Sequence, residues 1–293
     1  MIAIKMKRYH GVAIATGLIF LLACLIFYGW LVEPKSFTVK RVAVKSNAMI
    51  RAWGPLRIVH ISDLHILTFS EREEKIIQKI NSLAPDLICI TGDLGQWDAK
   101  HTDVIRFLTS LHGKYGVYVV LGDSDLSAGR QRCFYCHPST NIHKLRERPR
   151  FLRDECSQIL LDSQKNLVLC GVGPSTGSSK GKWDKFWQSE LSKWYKKKLP
   201  VLLLSHFSKF WNTLPDDFKL LCLSGNTHGG QIWVPAIFRP VFFREKDYRH
   251  LKGLFSSDRG KWLYVNPGLG TTSSLPIRIG VKPEITLIDI KRQ

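Results

Sequence analysis

Four short segments carry side chains of the kinds that hold divalent cations: Ile61-Ser62-Asp63-Leu64-His65, Gly92-Asp93, Ser205-His206 and Gly225-Asn226-Thr227-His228. Two cations about 3.5–4 Å apart can clamp the attacking and leaving oxygens of a phosphoryl transfer, and they take oxygen and imidazole ligands. Asp63 and His65 are two residues apart, so strand alternation would turn both toward one ion. Asp93, after a permissive glycine, could bridge two ions with its two oxygens. His206 and His228 would add imidazoles from later loops, and Gly229-Gly230 would let backbone approach a phosphate closely. The chemistry in view is metal-assisted hydrolysis of a phosphate ester.

The first three segments each end an apolar run that reads as a buried strand, at residues 56–61, 87–91 and 201–204. Another run, 117–121, ends in Gly122-Asp123-Ser124-Asp125. Ligands in open α/β sheets gather at the carboxyl ends of strands, so these groups can converge in one crevice. Residues 71–83 predict a helix, with Ser70 as N-cap, an acidic first turn, and Ile76, Ile77, Ile80 and Leu83 at helical spacing. A second helix is expected over 102–112, with Val104, Ile105, Leu108 and Leu111 on one face. The alternation implies βαβ units, a largely parallel sheet and an α/β class. Residues 180–198 read as a basic amphipathic helix that either packs its tryptophans on the sheet or touches lipid. An alternating strand is expected at 283–290.

Residues 11–32 run for 22 residues without a charge, enough to span a hydrocarbon core of about 30 Å at 1.5 Å per residue. Lys5, Lys7 and Arg8 precede them, and Tyr28 and Trp30 sit near the far end, where amphipathic aromatics suit the interface. The run is longer than a signal peptide's apolar region and lacks an evident small-residue cleavage site, so an uncleaved single-pass anchor is expected. The chain then divides into a basic N-terminus (1–10), the anchor (11–32), a linker with a first strand (33–55) and a catalytic domain (56–293). That domain is interrupted at 126–153 by a basic insertion with Cys133, Cys136 and His137. Their spacing is that of haem attachment, but a lone five-residue match is weak evidence, and a plain surface loop or a structural metal or redox clip is the expected reading.

The net charge of +19, from 43 basic and 24 acidic residues, favours anionic partners: phosphorylated substrates, acidic phospholipid or nucleic acid. Lys35, Lys40, Arg41 and Lys45 would face anionic lipid if the domain were cytoplasmic. Basic residues flank both ends of the span, so its orientation stays open; the expected location is the inner membrane, with the domain facing the cytoplasm as the favoured side. The odd count of seven cysteines argues against a disulfide framework and for a reducing compartment. Cys89, Cys170 and Cys222, within apolar runs, are expected to behave as small buried hydrophobes. Nothing in the sequence bears on oligomeric state.

The order of Asp-x-His, Gly-Asp, Gly122-Asp123-Ser124-Asp125, Ser-His and Gly-Asn-Thr-His resembles that of the calcineurin-like metallophosphoesterases. Gly229-Gly230-Gln231, the stretch 264–271 and Leu275-Pro276-Ile277-Arg278 look like one branch of it, which holds membrane-associated or exported phosphodiesterases and the UDP-2,3-diacylglucosamine hydrolases of lipid A synthesis. The likeness covers about 37–290. It implies a four-layer αββα sandwich, two facing mixed sheets flanked by helices, beyond the N-terminal transmembrane helix. It implies also that Asp63, His65, Asp93 and His228 hold one metal and Asp93, Asp123, His206 and Asn226 the other.

Asp123 stands where the family has asparagine, and Asn226 where it has the first histidine of Gly-His-x-His. Exchanging an imidazole for oxygen donors favours a hard cation such as Mn²⁺ or Mg²⁺ over Zn²⁺, with Fe a further family metal. Ser124 replaces the family histidine that contacts the reacting phosphate, and a lost general acid is worth a factor of about 10²–10⁴ for a poor leaving group. Asp125 or His137 could stand in for it, so Asp93, Asp123, Ser124 and Asp125 are the catalytic candidates. A pyrophosphate leaving group needs little protonation.

The expected protein is a membrane-anchored, metal-dependent phosphoesterase in which metal-bound hydroxide attacks a phosphodiester or pyrophosphate. Its expected substrate is anionic and lipid-linked, with UDP-2,3-diacylglucosamine the specific candidate. A catalytically degenerate binding protein and a nuclease are the alternatives. Arg278 could contact a substrate phosphate or make a structural salt bridge.

Overall fold

A computed structural model describes residues 2–126, 149–162, 165–235, 238, 250–272 and 274–293. Most of the expected insertion, with Cys133, Cys136 and His137, lies outside the described residues. The first sheet runs in the order β1 (Thr38–Lys45), β12 (Glu284–Lys291), β2 (Arg57–Ile61), β3 (Leu87–Thr91), β4 (Val117–Val120) and β5 (Arg150–Phe151). The second runs β10 (Gly253–Ser256), β11 (Lys261–Val265), β9 (Leu220–Ser224), β8 (Val201–Ser205), β7 (Lys165–Val172) and β6 (Glu155–Asp162). Strands β2 to β5 are mutually parallel, as are β7, β8, β9 and β11, while β12, β6 and β10 each make one antiparallel pairing.

Alternation along each strand divides the core into layers. In β2, Ile58 joins the cluster between the sheets, whereas Val59 and Ile61 face outward. There they meet Ile76 and Ile80 of α3 (Glu71–Ser82) and Val104 and Phe107 of α4 (His101–Thr109). In β8, Leu202 and Leu204 point inward, while Val201 and Leu203 pack outward with Trp183, Phe186 and Trp194. The result is helix, sheet, sheet, helix: the expected α/β sandwich of two mixed sheets. Ser70 caps α3 through a complete capping box with Glu73, which satisfies two otherwise orphaned N–H groups.

Residues 33–55 hold the expected first strand, β1, and the rest of the segment is folded rather than a linker. β1 pairs in parallel with β12 over eight residues, and α2 (Asn47–Trp53) buries Met49 and Trp53 in the inter-sheet core. The partner strand comes from the far end of the chain, so no local pattern announced it. The helix expected at 180–198 runs unbroken from α6 (Lys180–Phe186) through a π-helical turn over Trp187–Leu191 into α7 (Ser192–Lys196), after the short α5 (Pro174–Ser178). Trp183 and Trp194 are buried against the second sheet, so packing, not lipid contact, uses them.

Cys170 is not a lone buried hydrophobe. It faces Cys156 across the β6–β7 pair and is joined to it by a disulfide, which removes the cysteine argument for a reducing compartment. Cys89 and Cys222 are buried free thiols as expected, and burial pushes Cys222 up to about 12.

The N-terminal helix α1 (Ile2–Leu31) leaves its apolar residues from Val12 onward largely exposed, and it is long and apolar enough to cross a membrane. Between the sheets, His60 lies edge-on to Tyr264 with its Nε2 2.8 Å from Thr91 Oγ1. Burial pushes this imidazole from 6.5 down to about 3. The unfolded chain therefore takes up a proton that the folded chain refuses, and stability falls as pH drops from 6.5 toward 3. This one group is expected to cost about 2 kcal/mol between pH 7 and pH 5. A His60→Gln variant should lack that component, which denaturant titration of the full chain in detergent at the two pH values measures.

Candidate metal centre

Past the end of β2 the backbone turns left-handed at Asp63 (φ 48°) and again at His65 (φ 41°). Their side chains converge through this turn, not through the strand alternation expected. Asp63 N donates to Gly92 O at 3.0 Å and His65 N to Asp93 O at 2.9 Å, locking the β2 and β3 loops together. Asp93, Asn226 and His228 also have positive φ, so five of the nine such non-glycine residues among those described belong to this one cluster. Each costs on the order of 1 kcal/mol unless its surroundings over-determine it, and strain of this kind gathers at functional sites.

Two groups of ligand atoms result. In the first, His65 Nε2 lies 3.4 Å from Asp93 Oδ2 and 3.2 Å from His228 Nε2, and His228 Nε2 lies 3.4 Å from Asp63 Oδ1. In the second, His206 Nε2 lies 3.6 Å from Asp93 Oδ1 and 3.1 Å from Asp123 Oδ1. Within each group all ligand atoms are within 4.8 Å of one another. Asp93 belongs to both groups, with one oxygen turned to each.

The electrostatics fit cations at both places. His206 Nδ1 sits 2.6 Å from Thr91 O, which assigns the ring hydrogen to Nδ1 and leaves Nε2 its lone pair. That Nε2 is buried without a hydrogen-bond partner. Burial alone would lower the His206 pKa, but the carboxylates of Asp93, Asp123 and Asp63 and the Thr91 carbonyl push it up to about 10. The field at Nε2 thus calls for positive charge, and a proton and a divalent cation compete for it. His228 is the reverse case: burial, with His65 and Arg278 alongside, pushes it down to about 3. Its ring stays neutral and its Nε2 is free to bind a metal.

An open cleft above the groups is lined by His65, Asp93, Asp123, Ser124, Asn226, His228, Thr272 and Ser274. Asp63 and His206 are fully buried beside these lining residues. Asn226 donates its backbone N–H to both Asp63 oxygens at 3.1 Å. Ser124 N donates to Asp93 Oδ1 at 3.1 Å, and its Oγ has no partner. The cleft thus holds the serine where the resemblance puts a histidine.

Asp125, a candidate stand-in acid, is buried and does not line the cleft. Its carboxylate accepts from Asp93 N (3.0 Å), Leu94 N (3.0 Å) and Gly122 N (2.8 Å). It is a positioning group that ties the β3 and β4 loops together. Burial and the neighbouring Asp93 push it up to about 7, against the pull of those amides.

Arg278 is not among the residues that line the cleft, and it makes no ion pair with a carboxylate among the described residues. Fully buried, it donates to the carbonyls of Gly270, Val281 and Pro267 and stands 3.4 Å from His228 Nδ1. Thr272 and Ser274 reach the cleft without having been expected there. The glycine- and hydroxyl-rich run after β11 was the one sequence signal for them.

Residues 56–265 match the family described as calcineurin-like phosphoesterase. The chain belongs to that family. Relatives include the uncharacterized metallophosphoesterase YkuE of Bacillus subtilis (strain 168), 28% identical over 90% of this chain and 89% of its own length. The UDP-2,3-diacylglucosamine pyrophosphatase LpxG of Chlamydia trachomatis is 28% identical over 87% of this chain and 90% of its own. A zebrafish (Danio rerio) transmembrane protein with metallophosphoesterase domain is 25% identical over 92% of this chain and 61% of its own.

A calcineurin-like phosphoesterase built this way depends on close backbone approach beneath its ligands. A Cβ at Gly225 would overlap Ser62 Oγ and Asp63 Oδ2, so Gly225→Ala is expected to displace Asp63 and weaken Mn²⁺ binding. Asp125→Asn puts an N–H₂ against backbone donors and is expected to lower Mn²⁺ affinity about 10–100-fold. Calorimetric titration of the two purified variants checks both; wild-type affinity in either would reject the corresponding role.

Proposed function

We propose that this phosphoesterase, anchored in the membrane through residues 11–32, hydrolyses a phosphodiester or pyrophosphate bond with two divalent cations. The observation that carries the reading is Asp93, whose two oxygens face two separate carboxylate–imidazole groups. Asp63, His65, Asp93 and His228 would hold one cation, and Asp93, Asp123 and His206 the other, with Asn226 beside it on the cleft wall. The donor set is oxygen and imidazole with no thiolate, which suits Mn²⁺. When bound, such a pair polarises the phosphoryl oxygens and lowers the pKa of a coordinated water. Hydrogen bonding to His206 holds the Asp123 carboxyl below its ordinary range, burial keeps His228 neutral, and the Thr91 carbonyl orients the His206 ring.

Ser124 narrows the substrate. No imidazole stands at its place to protonate a leaving group, so the site suits a leaving group of low pKa, such as the phosphate of a pyrophosphate. The Chlamydia trachomatis relative named as a UDP-2,3-diacylglucosamine pyrophosphatase supports an anionic, lipid-linked pyrophosphate of that kind. Basic residues after the span, among them Lys35, Lys40 and Arg41, support a cytoplasmic domain. The Cys156–Cys170 disulfide favours a second reading, a domain on an oxidising side of the membrane acting on an exported phosphodiester. Protease digestion of right-side-out and inverted membrane vesicles separates the two.

The wild-type protein should hydrolyse bis(p-nitrophenyl) phosphate and a UDP-linked acylated glucosamine in Mn²⁺, whereas Asp93→Asn should fall to the metal-free rate. Absence of turnover above a His65→Ala control would favour a binding protein instead. Ser124→His should raise turnover of an alkyl phosphodiester by up to about 10²-fold while leaving pyrophosphate cleavage little changed. Steady-state kinetics on the two substrates read this ratio, and an unchanged ratio would remove Ser124 from the account.

A further inference from the structure

β1 runs parallel to β12, and β12 runs antiparallel to β2. The amino end of β1 therefore lies at the edge of the sandwich where β2, β3 and β4 end and the candidate ligands gather. The anchor helix directly precedes β1, so it meets the domain at the cleft end. Two hydrogen bonds hold it there: Arg278 N donates to Gly29 O at 2.8 Å, and Gly280 N to Glu33 Oε2 at 2.9 Å. Glu33 is buried by the contact, and a Cβ at Gly29 would press on Ile277, Arg278 and Ile279. Tyr28 and Trp30, which flank Gly29, are both exposed, and exposed Lys35 follows. Aromatic and basic side chains so placed settle at the bilayer–water boundary. The depth of that boundary along the helix is thus also the level of the 277–280 loop.

The cleft end carries the apolar surface that such a position requires. Beyond the span, seven large apolar side chains are exposed among the described residues: Leu67, Trp97, Leu126, Leu160, Trp233, Phe238 and Leu275. All but Leu160 and Phe238 stand within five residues of a cleft-lining residue. Trp233 N donates to Ile279 O at 2.7 Å, beside the loop that holds the helix. Gln96 N donates to Ile66 O at 3.0 Å, which joins the loops of Leu67 and Trp97. A rim of exposed apolar groups around a polar cleft marks an interaction surface.

We propose that the mouth of the cleft rests on the bilayer its own anchor crosses, with Leu67, Trp97, Leu126, Trp233 and Leu275 in the interfacial layer. The net charge of +19 adds attraction to anionic lipid. On the reading of the site as a phosphoesterase, the phosphoryl group cleaved then belongs to an amphiphile still seated in that leaflet.

The test uses the full chain in nanodiscs of phosphatidylcholine and phosphatidylglycerol, with p-benzoylphenylalanine replacing Trp97, Trp233 or Leu160 in turn. Leu160 serves as control because it pairs with Asn166 at the amino end of β7, the opposite end of the sandwich. After irradiation, intact-mass spectrometry should show lipid adducts at position 97 or 233 well above those at 160. Adducts at both rim positions no higher than at 160, or crosslinks chiefly to a second copy of the chain, would overturn the proposal. Irradiation needs no turnover, so this result stands apart from any failure of Mn²⁺-dependent hydrolysis.

Discussion

A single buried carboxylate holds the catalytic end of this molecule together. Asp125 accepts from the amides of Asp93, Leu94 and Gly122 and so fixes the loops after β3 and β4 at one separation. Asp93 sits between the two ligand groups, and its position sets the distance between them. Burying a carboxylate is costly unless its lone pairs are filled, and three backbone amides fill them here. The residue lies outside the cleft lining, where it can hold these loops.

Strain and charge are concentrated around that tie. Five left-handed residues put carboxylates and imidazoles closer together than strand geometry would allow. The carboxylates raise His206 to about 10, while burial and cationic neighbours lower His228 to about 3. Two buried histidines of one cleft thus lie on opposite sides of their ordinary value, and the sign in each case follows from its neighbours. A site with this much unbalanced negative charge is poised for divalent cations.

The anchor and the site are parts of one construction. Arg278 arranges the carbonyls of Gly270, Val281 and Pro267 beside His228, and its own backbone N–H meets the carbonyl of Gly29 at the end of the apolar helix. The apolar helix is thereby joined through Arg278 to the surroundings of His228, although Gly29 and His228 are far apart in the chain.

Most of the chemistry was legible in the sequence because it resides in short, local signals. The pairs at Asp63 and His65 and at Gly92 and Asp93, each beyond an apolar run, are readable without a fold, as are Asn226 and His228, the capped α3 and the uncharged span. What tertiary structure decided depends on partners distant in sequence. β1 needed β12, Cys170 needed Cys156 across an antiparallel register, and the tryptophans at 183 and 194 needed a sheet to cover. Asp125 and Arg278 looked like candidates for chemistry because charge is visible in a sequence. Only burial, and the backbone groups that meet their oxygens and nitrogens, showed that both act by holding other residues in place.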